Sequence, residues 1–163
     1  MIIRRSAGSR WLEARALAAL AIALAMTLNA VPLAGQGSFN LPGLSGGSLS
    51  SADLATGTTI LVVWASWSPR CRDIVPRVND LASRFGGRAR VVTVDFQEEP
   101  AAVEAFLAGK GLTVPVYLDR SGDFSKAHAV TTLPGLIVYR AGEVRFQGRL
   151  EADAAAQIEP LLK

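Results

Sequence analysis

The sequence predicts a three-layer α/β/α sandwich built on a mixed sheet. Three observations predict it. Two apolar runs without alternation, Ile60-Leu61-Val62-Val63 and Val91-Val92-Thr93-Val94, read as parallel strands covered on both faces. Each is followed by apolar residues at helical spacing: Ile74, Val75, Val78, Leu81 and Phe85 after the first, Ala102, Val103, Phe106 and Leu107 after the second. Near the C-terminus, Leu136 to Arg140 and Val144 to Gln147 flank Ala141-Gly142, the pattern of a β-hairpin. Parallel strands with helical crossovers and a terminal hairpin give a mixed sheet with helices on its faces.

The N-terminal residues 1–34 read as a targeting segment. Arg4, Arg5, Arg10 and Arg15 precede a 13-residue apolar stretch from Ala16 to Leu28. That length suits a signal peptide and falls short of the roughly 20 apolar residues of a membrane span. The segment is either a cleaved signal or an N-terminal anchor through residues 16–33. Both export the folded part, to a bacterial periplasm or cell envelope; the other reading is an arginine-rich organelle transit peptide.

Charge excludes one class of function. The chain has 17 basic and 14 acidic residues; removing the four arginines and Glu13 of residues 1–35 leaves 13 of each. The folded part is neutral, so the basic pI belongs to the leader and no nucleic-acid partner is expected.

In chain order, residues 35–50 are rich in Gly and Ser and read as a linker and N-terminal extension, with an edge strand at Phe39-Asn40-Leu41. The main domain is expected over 51–163. Ser50 or Ser51 caps a turn through Leu54. Thr58 to Ala65 is the central strand. Ser68 as N-cap and Pro69 at the first position open a helix to Phe85, kinked by Pro76 and closed by Gly86-Gly87. Arg90 to Phe96 is the next strand, and Glu98-Glu99-Pro100 opens a helix to Leu107 with acids in its first turn. A strand over 114–118, a helix over 123–129, the hairpin and a helix over 152–162 complete the order.

Cys71 is the only cysteine and His128 the only histidine. One cysteine makes no internal disulfide, and this pair makes no protein-only zinc site. No metal and no cofactor are expected. What remains is a thiol at a helix start, where backbone N–H groups favour a thiolate.

The stretch Trp64-Ala65-Ser66-Trp67-Ser68-Pro69-Arg70-Cys71, the helix with Pro76, and Leu133-Pro134 before the hairpin resemble a thioredoxin fold. The extra helix and strand over 94–119 resemble the insertion of exported TlpA- and ResA-type thiol-disulfide oxidoreductases. The resemblance spans residues 39–162. It implies thiol-disulfide exchange with cysteine-containing envelope proteins or small thiols. It also implies that Ser68 stands where the family carries its attacking cysteine, and that Cys71 is the resolving one. Pro134 then matches the cis-proline, with Leu133 free to pair with an extended client. Trp67 and Pro69 border the client site, and Glu98 matches an acid that handles protons.

Each residue also has a structural reading. Ser68 forms no disulfide and is a good N-cap. Cys71 is either a lone nucleophile, open to mixed-disulfide or sulfenic chemistry, or a small buried apolar residue. Glu98 is either a proton handler or a solvated first-turn acid. His128 reads as a packed ring, Trp64 as core. Full dithiol turnover by one chain is not expected. The functional readings are action through Cys71 alone, or a redox-inactive binding module of chaperone type for envelope proteins. Thiol peroxidase is the lesser alternative: Ser-x-x-Cys resembles peroxiredoxins, but their upstream proline would fall at Trp64.

Overall fold

The computed structural model describes residues 37–163; the targeting segment expected over 1–34 lies outside the described residues. The main sheet has five strands, β3 (Thr58–Trp64), β4 (Arg90–Phe96), β5 (Val116–Asp119), β6 (Gly135–Arg140) and β7 (Glu143–Arg149), in the order β5-β4-β3-β6-β7. β3, β4 and β5 are parallel; β6 runs antiparallel to β3 and pairs with β7 as the expected hairpin.

Alternation along the strands feeds two cores. Ile60, Val62, Trp64 and Val91 face α1 (Ile74–Phe85), α2 (Pro100–Leu107) and α4 (Ala154–Ile158), with Val78, Phe85, Val103 and Ile158 buried against them. Leu61, Val63, Val92 and Val94 face the other way, onto Leu54 and Phe124 of α3 (Asp123–Ala127). Each fully buried Leu, Val or Phe here contributes roughly 1.5–3 kcal/mol.

The Gly/Ser-rich lead-in is more ordered than its composition suggests. β1 (Asn40–Pro42) and β2 (Ser48–Ser50) form an antiparallel hairpin in which Leu41 pairs with Leu49. Both leucines are buried in the second core. Gly46 and Gly47 take positive φ at the turn, which frees the chain to reverse there.

The helix expected over 69–85 is divided. Pro69–Cys71 is a 3-10 turn, and the α-helix begins only at Ile74. Pro76 is the cause: its ring excludes a helical carbonyl at Arg72 and it has no N–H to offer it. In α1 it occupies the first turn, where that N–H has no intrahelical acceptor, so it starts the helix instead of kinking it. The last helix is likewise shortened to α4, followed by a 3-10 turn over Glu159–Leu162 that contains Pro160. Among the described residues no helix is long and apolar enough to cross a membrane.

Candidate functional site

The C-terminal ends of β3 and β4 and the loop before β6 meet at one edge of the sheet. β3 delivers Trp67 and Ser68, the 3-10 turn holds Pro69, Arg70 and Cys71, and the loop from Val130 leads into Leu133-Pro134. The Leu133–Pro134 peptide bond is cis. Between these segments lies an open groove of about 410 Å³ with Trp67, Ser68, Pro69, Phe96 and Leu133 in its walls. Trp67 is 60% exposed, the one large hydrophobic side chain so exposed among the described residues. Its ring sits 6.4 Å from that of Phe96. Among the described residues neither Thr132 nor Leu133 uses its backbone N–H or C=O in a hydrogen bond. The groove therefore joins an apolar wall to unpaired main chain, the two requirements for holding an extended peptide.

Cys71 lies beneath this groove and exposes none of its surface. It packs in the first core with Trp64, Ile74 and Val75. Its N–H donates to the Ser68 carbonyl at 2.9 Å, closing the 3-10 turn. Since α1 starts three residues later, Cys71 stands ahead of the helix and not at its third position.

Ser68 occupies the N-cap position, with extended backbone, but its hydroxyl caps nothing. In the 3-10 turn the Cys71 N–H, which the hydroxyl of an N-cap residue would bond, is taken by the Ser68 carbonyl. It is buried to 6% exposure and its side faces the groove.

Glu98 is not in the first turn of a helix, because α2 begins at Pro100 with Glu99 as its N-cap residue. It is half-buried in the loop after β4. Its carboxylate accepts hydrogen bonds from the backbone N–H and the hydroxyl of Ser66. It thus holds the segment that carries Trp67.

Sequence reasoning passed over Asp95. It pairs in register with Trp64 and exposes none of its surface. By alternation it shares the face of Val91 and Trp64, the side on which Cys71 packs. As an ionised group it has no hydrogen-bond donor among the described residues. Burial, followed by the neighbouring Glu98 and then Asp119, pushes its carboxyl up to about 8. At neutral pH it is a protonated acid able to donate to Glu98. The signal was present: an acid closing the buried run Val91-Val92-Thr93-Val94 cannot be solvated if the strand is central.

His128 is a packed ring, as expected. It is buried between Phe124, with centroids 4.1 Å apart, and Tyr139. Its Nδ1 meets the Phe124 carbonyl at 2.7 Å, and its Nε2 bonds the Tyr139 hydroxyl. Burial holds the imidazole below its ordinary value, so it is neutral with Nδ1 donating.

Residues 36–147 match the AhpC/TSA family. The chain belongs to the AhpC/TSA family. Among curated relatives of this AhpC/TSA chain, the sporulation thiol-disulfide oxidoreductase A of Bacillus subtilis is 29% identical over 91 residues, covering 53% of this chain and 55% of that protein. The thiol-disulfide oxidoreductase ResA of Bacillus thuringiensis is 25% identical over 127 residues, covering 77% and 73%. A crystal structure from Chlorobium tepidum, described as a thiol:disulfide interchange protein DsbE, superposes with a TM-score of 0.68 at 26% identity, covering 78% of this chain and 93% of that one. The fold is thioredoxin-like, with the mixed five-stranded sheet expected from the sequence. The matched part spans about half the length of the first of these relatives.

Proposed function

We propose that this protein is a thioredoxin-fold member of the thiol-disulfide oxidoreductase group, exported to the cell envelope, that holds extended client segments noncovalently in the groove between Trp67 and Leu133. Full dithiol turnover is outside the reach of one chain, because a single sulfur stores no disulfide. The observation that carries the reading is the contrast between an open groove and a thiol with no exposed surface below it. In a dithiol pair the deeper sulfur acts after the groove-facing one has taken the client; with Ser68 at the groove-facing position, nothing brings a client sulfur to Cys71. Export is supported by the basic and apolar leader in the sequence.

The test uses reduced, carboxymethylated α-lactalbumin, an unfolded client without free thiols. Binding followed through the anisotropy of the dye-labelled client should be the same for the wild type and Cys71→Ala, and should weaken on Trp67→Ala. With a disulfide-bonded client in its place, an adduct in which Cys71 bonds one client sulfur and the other leaves as a thiol, dissolved by dithiothreitol and absent in Cys71→Ala, would overturn the binding reading in favour of action through the lone thiol. Native Cys71 should label with iodoacetamide only after denaturation.

A further inference from the structure

Arg70 lines the client groove and also a second one, of about 430 Å³, on the far side of the cis-proline loop. The second groove is lined by Pro134, Arg77, Arg149, Asp73 and Glu151 as well. The two grooves share Arg70, with Leu133 lining one and Pro134 the other, so a segment passing Arg70 would meet an apolar end and a charged end of one trough.

The charges at that end do not cancel. Arg77 is engaged: its guanidinium donates to the Leu150 and Glu151 carbonyls at 2.9 and 3.0 Å and stands 4.0 Å from Asp73. Arg70 and Arg149 are exposed, and among the described residues neither side chain has a hydrogen bond or ion pair. Glu151 is the remaining acid, so three arginines meet two acids and the trough end is cationic, in a domain whose 13 basic and 13 acidic residues balance as a whole. The two arginines come from distant parts of the chain, one from the turn before α1 and one from the end of β7. An Arg guanidinium is suited to carboxylate, because its donors match the two oxygens.

We infer that the trough selects extended protein segments in which an apolar side chain is followed or preceded, within a few residues, by a carboxylate. The apolar side chain sits against Trp67 and Leu133, the segment crosses the unpaired main chain of Thr132 and Leu133, and the carboxylate lies between Arg70 and Arg149. The inference rests on the client-groove reading of the same site and adds the charge of the client.

Acetylated, amidated peptides Gly-Val-Leu-Ala-X-X and X-X-Ala-Leu-Val-Gly, with X as Asp, Ser or Lys, test it through Trp67 fluorescence on the full folded chain. The two orders cover both directions of docking. One of the Asp peptides should bind about fivefold more tightly than its Ser counterpart, two exposed ion pairs being worth about that ratio. The advantage should shrink in about 0.5 M NaCl, as exposed charges are screened. Arg149→Glu should abolish it, and Arg70→Glu with Arg149→Glu should shift the preference to Lys. Both side chains are exposed, so these changes leave the core intact. Equal affinity for Asp, Ser and Lys peptides would overturn the charge selection while leaving the groove reading in place. Failure of every peptide to bind would overturn both.

Discussion

Glu98 accepts hydrogen bonds from both the backbone N–H and the hydroxyl of Ser66, joining the loop after β4 to the segment that carries Trp67 out of β3. The two ends of parallel neighbours are thereby tied where the groove opens. A carboxylate receiving two donors in a half-buried place is a strong tie, since hydrogen bonds to a charged group contribute about 1.5–3 kcal/mol before allowance for exposure.

Glu98→Ala should therefore destabilise the protein by about 2 kcal/mol, with Ser66→Ala costing about 1 kcal/mol because only one of the two bonds is lost. The double variant should cost less than the two singles combined, as expected for direct partners. Urea unfolding of the four proteins measures this. Additive single effects would mean that the two residues are not coupled. Peptide binding should weaken in Glu98→Ala, since Trp67 loses its fixed approach to the groove.

The buried Asp95 gives stability a pH dependence of definite sign. Its carboxyl is raised from 3.8 to about 8 in the folded protein, first by burial and then by Glu98. Below the unfolded value both states are protonated and the group contributes nothing. Between the two values the folded protein keeps a proton that the unfolded chain has released, so stability falls as pH rises, by up to about 1.4 kcal/mol per unit. Above the folded value the loss is complete. Asp95→Asn keeps the shape and removes the titration. Its stability should equal the wild type near about pH 4 and exceed it progressively up to about pH 9. Urea midpoints across that range decide it; a difference that does not change with pH would show that Asp95 does not hold a raised pKa.

The parts of this molecule that were legible in the sequence are those written in local pattern. The apolar runs of β3 and β4, the spacing of Val78, Leu81 and Phe85, and the Ala141-Gly142 turn each carry their own signal, and together they give a mixed sheet with helices on its faces. β1 falls on the edge strand expected at Phe39-Asn40-Leu41, but its partner β2 was hidden because Leu49 stands alone between Ser48 and Ser50; only its pairing with Leu41 against the second core makes it a strand residue. The start of α1 was obscured because two signals conflict. Ser68-Pro69 looks like a helix entrance, but Pro76 forbids the α-helical bond that such an entrance needs at Arg72. Asp95 was legible but passed over, as an acid closing the apolar run of a central strand, whereas Arg70 with Arg149 is a product of tertiary packing, which no single segment encodes.

Ser68→Cys tests whether the site around Cys71 is otherwise complete. The Cys71 N–H already bonds the Ser68 carbonyl at 2.9 Å, so the turn holds the two positions close. Ser68, though only 6% exposed, lines the groove while Cys71 exposes nothing, the order of access that an attacking and a resolving thiol require. In oxidised glutathione the variant should pass from two free thiols to none: the thiolate introduced by Ser68→Cys takes the first glutathione sulfur, Cys71 displaces it, and one disulfide forms as two glutathione thiols are released. Reduced by dithiothreitol, the variant should reduce insulin at least about tenfold faster than the wild type, whose lone buried thiol has no partner. With Cys71→Ala added, the reaction should stop at the glutathione adduct, because the resolving sulfur is gone. Two thiols that persist in oxidised glutathione would mean that the turn no longer brings positions 68 and 71 into disulfide geometry, and that the departure from a dithiol site extends beyond Ser68.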